Sequence, residues 1–321
     1  MGAAPAKVET IAIVGAGSIG VAWAILFASA GFRVKLQDTD AARLAMAKGE
    51  IAARLEDLKA AGLVDEPPAA VTARVESVRD LAAALSGAVH VQECVPEDLA
   101  LKRRLFAELD RLAGPATVLA SSSSFLPASA FAEHLPGRLR CLVVHPGNPP
   151  YLLKVAELVP APFTGTEFVE RTAVLLRAAG TTPVTLAREI EGFVFNRLQG
   201  ALLREAYCLV RDGIVTAADI DRMVRDGLGL RWSVIGPFET ADLNNRGGIS
   251  EHARRMGPAY GRMGAERGQE DPWTEDLVAK VTAERRAALP LAQWGERVAW
   301  RDRALMALLK CRRSDPALDM P

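Results

Sequence analysis

Cysteine, histidine and aromatic residues are all scarce in this chain of 321 residues, and each scarcity removes a class of chemistry. The four cysteines, Cys94, Cys141, Cys208 and Cys311, stand far apart, without a CxxC pair or zinc-type spacing. They read as reduced thiols of a cytoplasmic protein, which argues against a disulfide scaffold and against a metal site. Net charge is missing too. Lys plus Arg and Asp plus Glu are 39 each, so nothing electrostatic draws the chain to nucleic acid or to an anionic membrane. No apolar run is long enough to span a bilayer, and the opening MGAAPAKVET lacks the apolar centre of a signal peptide. Aromatic residues make up 6%, with no visible cluster of the kind that cages a quaternary ammonium. What is present is a chain half hydrophobic and a quarter charged, globular in composition and long enough for two domains.

The strongest local pattern is IAIVGAGSIGVAWAILFASAGFRVKLQDTD, residues 11–40. Ile11 to Val14 is a short β-branched run suited to a strand buried on both faces. Gly15, Gly17 and Gly20 follow in GxGxxG spacing, and a small, apolar helix continues to Ala30, with Gly31 as its C-terminal cap. A second strand runs from Phe32 to Leu36 and Asp38 closes it. Gly15 permits the tight turn, Gly17 lets backbone approach a pyrophosphate, and Gly20 lets helix and strand pack closely. The free N–H groups of the helix start, at Ser18 and Ile19, face the phosphates. A carboxylate at Asp38 accepts from ribose hydroxyls and repels a 2′-phosphate, which favours NAD over NADP.

The remainder alternates. Strands are expected at 88–95, 116–122, 139–145, 156–160 and in TPVTLA, with helices to about Gly62, at 97–113 and near 166–179. This predicts an α/β, Rossmann-type, doubly wound, mostly parallel sheet. Beyond Arg188 the apolar spacing turns helical, and Thr216 three residues before Asp219 marks a helix start. The expected organisation is a NAD-binding domain over 1–189 and an all-helical domain over 190–321, with a cleft where they join.

Four histidines allow each to be weighed. His90 lies inside a strand and reads as a satisfied core residue, while His134 and His252 lie in surface-like surroundings. His145 ends the run RCLVVH, and Pro146 stops that strand at once. Ligands of open α/β sheets gather outside the carboxyl ends of strands, which places His145 as either an acid–base group or a packed strand end. Glu157, between Ala156 and Leu158, is costly to bury without a partner. It either orients the imidazole or points into water from an edge strand. The serine run in ASSSSF lies at another carboxyl end and has no GxSxG elbow, so it reads as a turn that can also hold a substrate oxygen.

These residues carry a resemblance. IVGAGSIG, VKLQD, VQECVPEDLALK, SSSSF, HPGNPP, ELVP, GFVFNRLQ, EAYCLVRDGIVTAADID and GLGLRWSVIGPFET resemble the 3-hydroxyacyl-CoA dehydrogenase family over nearly the whole chain. Among its branches, that of λ-crystallin and L-gulonate 3-dehydrogenase is most similar. The resemblance implies that His145 and Glu157 are the catalytic pair and that Ser124 and Asn196 hold the reacting oxygen. Asn148 is then the Asn of the NP signature. It also puts Glu97 and Lys102 near the nicotinamide half of the cofactor, and implies a homodimer joined through the helical domain.

Two departures bear on the substrate. Acyl-CoA enzymes of the family typically read HFFNP where this chain has HPGNPP, and they lack an arginine at the position of Arg231. A guanidinium entering the cleft matches a carboxylate in fork geometry, which favours a small free 3-hydroxy acid. The resemblance of the HPxNPP and GLGxR patterns to the L-gulonate branch implies L-gulonate first. The alternative for Arg231 is an interdomain ion pair at the surface. L-Carnitine, 3-hydroxybutyrate and its CoA thioester stay open as substrates. So does a non-catalytic, crystallin-like role.

Overall fold

The computed structural model describes residues 9–233, 235–244, 248–267 and 290–314, with isolated positions between 276 and 287. By compactness these residues form two units, one of 9–197 with Asp302–Ser314 and one from Leu198 to Arg301.

The first unit is built on one eight-stranded sheet in the order β3-β2-β1-β4-β5-β6-β7-β8. The strands are β1 (Thr10–Val14), β2 (Arg33–Gln37), β3 (Val75–Val78), β4 (Ala88–Glu93), β5 (Val118–Ser121), β6 (Cys141–Pro146), β7 (Val155–Pro160) and β8 (Thr182–Thr185). All neighbours pair in parallel except β6 and β7. The helices are α1 (Ser18–Ser29), α2 (Ala41–Ala60), α3 (Pro68–Thr72), α4 (Leu81–Leu85), α5 (Leu99–Leu112), α6 (Ala128–Ala132) and α7 (Thr166–Ala178). This is the doubly wound arrangement that the alternation of motifs predicts. The strand order reverses between β1 and β4, and this is where such sheets open a ligand crevice at their carboxyl ends.

The two-residue period of the strands divides the core. Ile11 and Ile13, with Leu142, Val144 and Leu158, join one apolar cluster, while Ala12 and Val14, with Cys141, Val143 and Val159, join the other. The sheet is therefore covered on both faces. α1 is apolar all round because its residues from Gly20 to Ala28 are all buried. The C-terminal helix (Trp294–Ser314) adds Met306 to the α1-side cluster. One strand, β3, exceeds those expected from the sequence. It is four residues at the sheet edge with its two central side chains exposed, so it shows no apolar run to read.

The second unit is helical throughout its described residues. It comprises most of α8 (Phe195–Arg211), then α9 (Ala217–Met223), a π-helical turn at Val224–Leu228, α10 (Gly229–Trp232), α11 (Pro237–Leu243) and α12 (Gly248–Arg267). Thr216 caps α9 by accepting from the Asp219 N–H at 3.2 Å, as the sequence spacing predicts. Arg267, at the end of α12, pairs with Glu205 and Asp212.

His90 is buried, but only half satisfied. Its Nε2 meets Gln92 Oε1 at 3.1 Å, and Nδ1 has no partner. Burial pushes its pKa down to about 4, so it is neutral in the fold. An unfolded chain takes that proton near 6.5, so the unfolded state binds more protons between these values. Stability is accordingly expected to fall as pH drops through this window, by about 1.4 kcal/mol per unit from this group. Urea unfolding of the wild type and of His90→Gln between pH 7 and 4.5 checks this: the variant loses that part of the slope.

Candidate active site

The chain leaves β1 at Val14 and turns through Gly15, Ala16 and Gly17 into α1. Gly15 has φ +101°, and a Cβ there would lie 2.9 Å from the Cys94 carbonyl just beyond β4. A Cβ on Gly20 would collide with the Gly15 carbonyl oxygen, so α1 packs directly on the turn. Gly17 is different, because nothing lies within 4 Å of the place its Cβ would take. It is also the N-cap of α1, where no side chain caps the helix and no acid stands in the first turn. The first-turn N–H groups of Ser18 and Ile19 thus end in an open cradle with partial positive charge. Asp38, just past β2, accepts from Ala16 N at 2.9 Å and from Asp40 N at 3.0 Å. Each oxygen keeps a second lone pair for a ribose hydroxyl. The donors and the open cradle fit a dinucleotide, with pyrophosphate at the helix start and ribose at Asp38.

At the end of β4 lies a buried ion pair. Lys102, only 1% exposed, reaches Glu93 Oε1 at 2.9 Å and Oε2 at 2.8 Å, with Ser121 Oγ at 3.4 Å. Lys102 is expected beside the cofactor from the resemblance, and the structure shows its ammonium paired with Glu93. Glu97 stands 3.8 Å from its ammonium and accepts from the Ser123 hydroxyl and from Phe125 and Leu126 N–H, both at 3.1 Å. Burial works against its charge, yet the Ser123 hydroxyl, these N–H groups and Lys102 hold its carboxyl below the usual range. Glu97 therefore pins the turn that carries Ser124.

His145 and Glu157 sit directly opposite each other in the antiparallel β6–β7 pair, so their side chains share one sheet face. His145 Nδ1 lies 2.7 Å from Glu157 Oε2, both residues being buried. The other oxygen, Oε1, accepts from Val194 N at 2.6 Å and Phe195 N at 3.0 Å, at the start of α8. Burial disfavours the Glu157 carboxylate, but the His145 hydrogen bond, the two N–H groups and the imidazole charge together hold its pKa low. Gly192 at φ +72° and Phe193 at φ +51° bend the chain so that these successive N–H groups converge on it. The rings of Phe193 and Phe195 lie 5.6 and 6.2 Å from the imidazole, centroid to centroid. The carboxylate fixes Nδ1 and leaves Nε2 as the nitrogen that can exchange a proton.

Asn196 Nδ2 donates to the Ser124 carbonyl at 3.0 Å, which brings these two residues together. Asn148 is exposed in the turn after β6. Arg231 is exposed on α10 in the second unit. Sequence reasoning missed Glu93, though an acid ending the apolar run of β4 carried the same signal as Glu157. It also missed Phe193 and the Val194 and Phe195 N–H groups, for which backbone conformation leaves no sequence mark.

Comparison with known proteins matches residues 10–190 to the 3-hydroxyacyl-CoA dehydrogenase NAD-binding domain and residues 192–294 to the C-terminal domain of the same family. The chain belongs to the 3-hydroxyacyl-CoA dehydrogenase family. It is 41% identical to the lambda-crystallin homolog of Bos taurus over 310 residues, 95% of this chain and 96% of that protein. It is 37% identical to an L-carnitine dehydrogenase of Streptomyces griseus over 274 residues, 84% of this chain and 78% of that enzyme. Among solved structures it is similar to 5-formyl-3-hydroxy-2-methylpyridine 4-carboxylic acid 5-dehydrogenase, an NAD+-dependent dismutase. That match has a TM-score of 0.81 and 26% identity, and covers 95% of this chain and 98% of the other. The protein is an NAD-dependent dehydrogenase of this family.

The two glycines predict opposite outcomes. Gly17→Val fills the cradle without touching the fold, so nucleotide fluorescence should show NADH binding weakened by about tenfold or more, with an unchanged melting temperature. Gly20→Ala overpacks the turn and should cost about 1–3 kcal/mol, read as a lower melting temperature.

Proposed function

We propose that this dehydrogenase oxidises the 3-hydroxyl of a small free 3-hydroxy acid, L-gulonate first among the candidates, with His145 as general base. The observation that carries this reading is the 2.7 Å hydrogen bond between His145 Nδ1 and Glu157 Oε2. It commits the Nδ1 proton to the carboxylate and leaves the Nε2 lone pair for the substrate hydroxyl. NAD, when bound, supplies the hydride acceptor. His145 takes the hydroxyl proton, and Glu157 stabilises the imidazolium that results. The Ser124 hydroxyl and the Asn196 amide hold the reacting oxygen, a role supported by the contact between these residues. Asn148 lines the substrate side of the β6–β7 turn.

The second domain, residues 190–321, supplies the substrate carboxylate's partner in Arg231, whose planar guanidinium suits a free acid better than a neutral thioester. The product is then a β-keto acid, prone to lose CO₂. A homodimer through the helical domain is supported by apolar residues exposed there, Phe238 at 79% and Met223 at 71% among them. Four free cysteines support a reducing, cytoplasmic location.

NADH formation with L-gulonate, L-carnitine, 3-hydroxybutyrate and 3-hydroxybutyryl-CoA tests the substrate. Turnover of L-gulonate well above the others supports the proposal. Preference for L-carnitine or the thioester moves the chain to those branches, and no turnover with intact NAD binding makes it a structural relative. His145→Gln is expected to lower kcat by about 10²–10⁴-fold while leaving the NADH dissociation constant within about twofold.

A further inference from the structure

Beside the ribose carboxylate stands a cation that the dinucleotide turn does not account for. Arg43, in the first turn of α2, sends its Nε back to the Ala16 carbonyl at 2.7 Å, in the same turn whose Ala16 N–H binds Asp38. Its two outer nitrogens meet Glu50, at 2.6 Å to Oε1 and 3.1 Å to Oε2. Glu50 is two helical turns further along α2, so the guanidinium lies flat along the helix with a bidentate lock at its outer end. Asp38 and Asp40 are near enough to stabilise the same charge, after Glu50 itself. Arg54 approaches Glu50 at 3.9 Å, a looser contact.

We propose that the Arg43–Glu50 pair is the gate of cofactor choice, keeping a latent 2′-phosphate site closed so that the protein takes NAD. A 2′-phosphate brings about two negative charges to the ribose. Arginine next to the ribose is what accommodates that group where NADP is used. Here the required arginine is already bonded to the glycine turn, but one N–H of each outer nitrogen is taken by a carboxylate that also neutralises its charge. Asp38 alone repels the phosphate. Glu50 in addition withholds the cation that would offset this repulsion. Removing the lock without moving Arg43 exposes the fork to the ribose.

The test is direct binding. NADH and NADPH are titrated by nucleotide fluorescence against the full chain, its Glu50→Gln variant, and the double variant Glu50→Gln with Arg43→Met. Glu50 is part-exposed on α2, and melting temperatures confirm that all three are folded. Glu50→Gln is expected to tighten NADPH by about tenfold, the scale of one charge-assisted hydrogen bond, with NADH changed by less than about twofold. The double variant is expected to lose that gain. An unchanged NADPH affinity in Glu50→Gln overturns the proposal, as does a gain that persists without Arg43.

Discussion

The chemistry proposed for this protein depends on keeping one carboxylate ionised inside an apolar sheet. Glu157 lies between Ala156 and Leu158, buried residues of the α1-side core or its margin, and its own side chain is turned to the other face. Isolated there it would take up a proton rather than hold a charge. Three donors prevent this: the imidazole of His145 on one oxygen, and the Val194 and Phe195 N–H groups on the other. The start of α8 thus completes a site whose other members come from β6 and β7. An anion fixed by backbone stays where it is put, so the ring it orients does too.

The same economy of backbone governs the other end of the site. At the point where strand order reverses, Gly15 packs against the Cys94 carbonyl and Gly20 against Gly15, while Gly17 is left open. Two glycines serve packing and one serves access. Between the two ends, Glu93, Lys102, Glu97 and Ser123 form a continuous polar chain from the buried end of β4 to the Ser124 turn. A half-satisfied chain of this kind would be costly. Here each charged member has at least one opposite charge or N–H donor.

Much of this was legible in residues. The glycine spacing, the strand alternation and the histidine–glutamate pair each left a pattern, because an apolar run interrupted by a polar residue demands a partner. The edge strand β3 left none, since half its side chains face solvent. The burial of Lys102 left no pattern either: it stands beside two arginines in LALKRRLF, and only its position on α5 turns it inward to Glu93. A buried lysine is recognised by its partner, and the partner lies in another element. The Arg43–Glu50 lock, seven residues apart, was hidden among the ordinary charges of a surface helix.

The central claim is that His145 Nε2 meets the substrate hydroxyl while Glu157 holds Nδ1. A crystal structure with NADH and the 3-oxo acid tests it most directly. The account predicts the reacting oxygen within hydrogen-bond reach of Nε2, about 2.6–3.2 Å, with the Nδ1–Glu157 contact kept. A substrate oxygen bound away from Nε2, or an imidazole released from Glu157 in that complex, would contradict it.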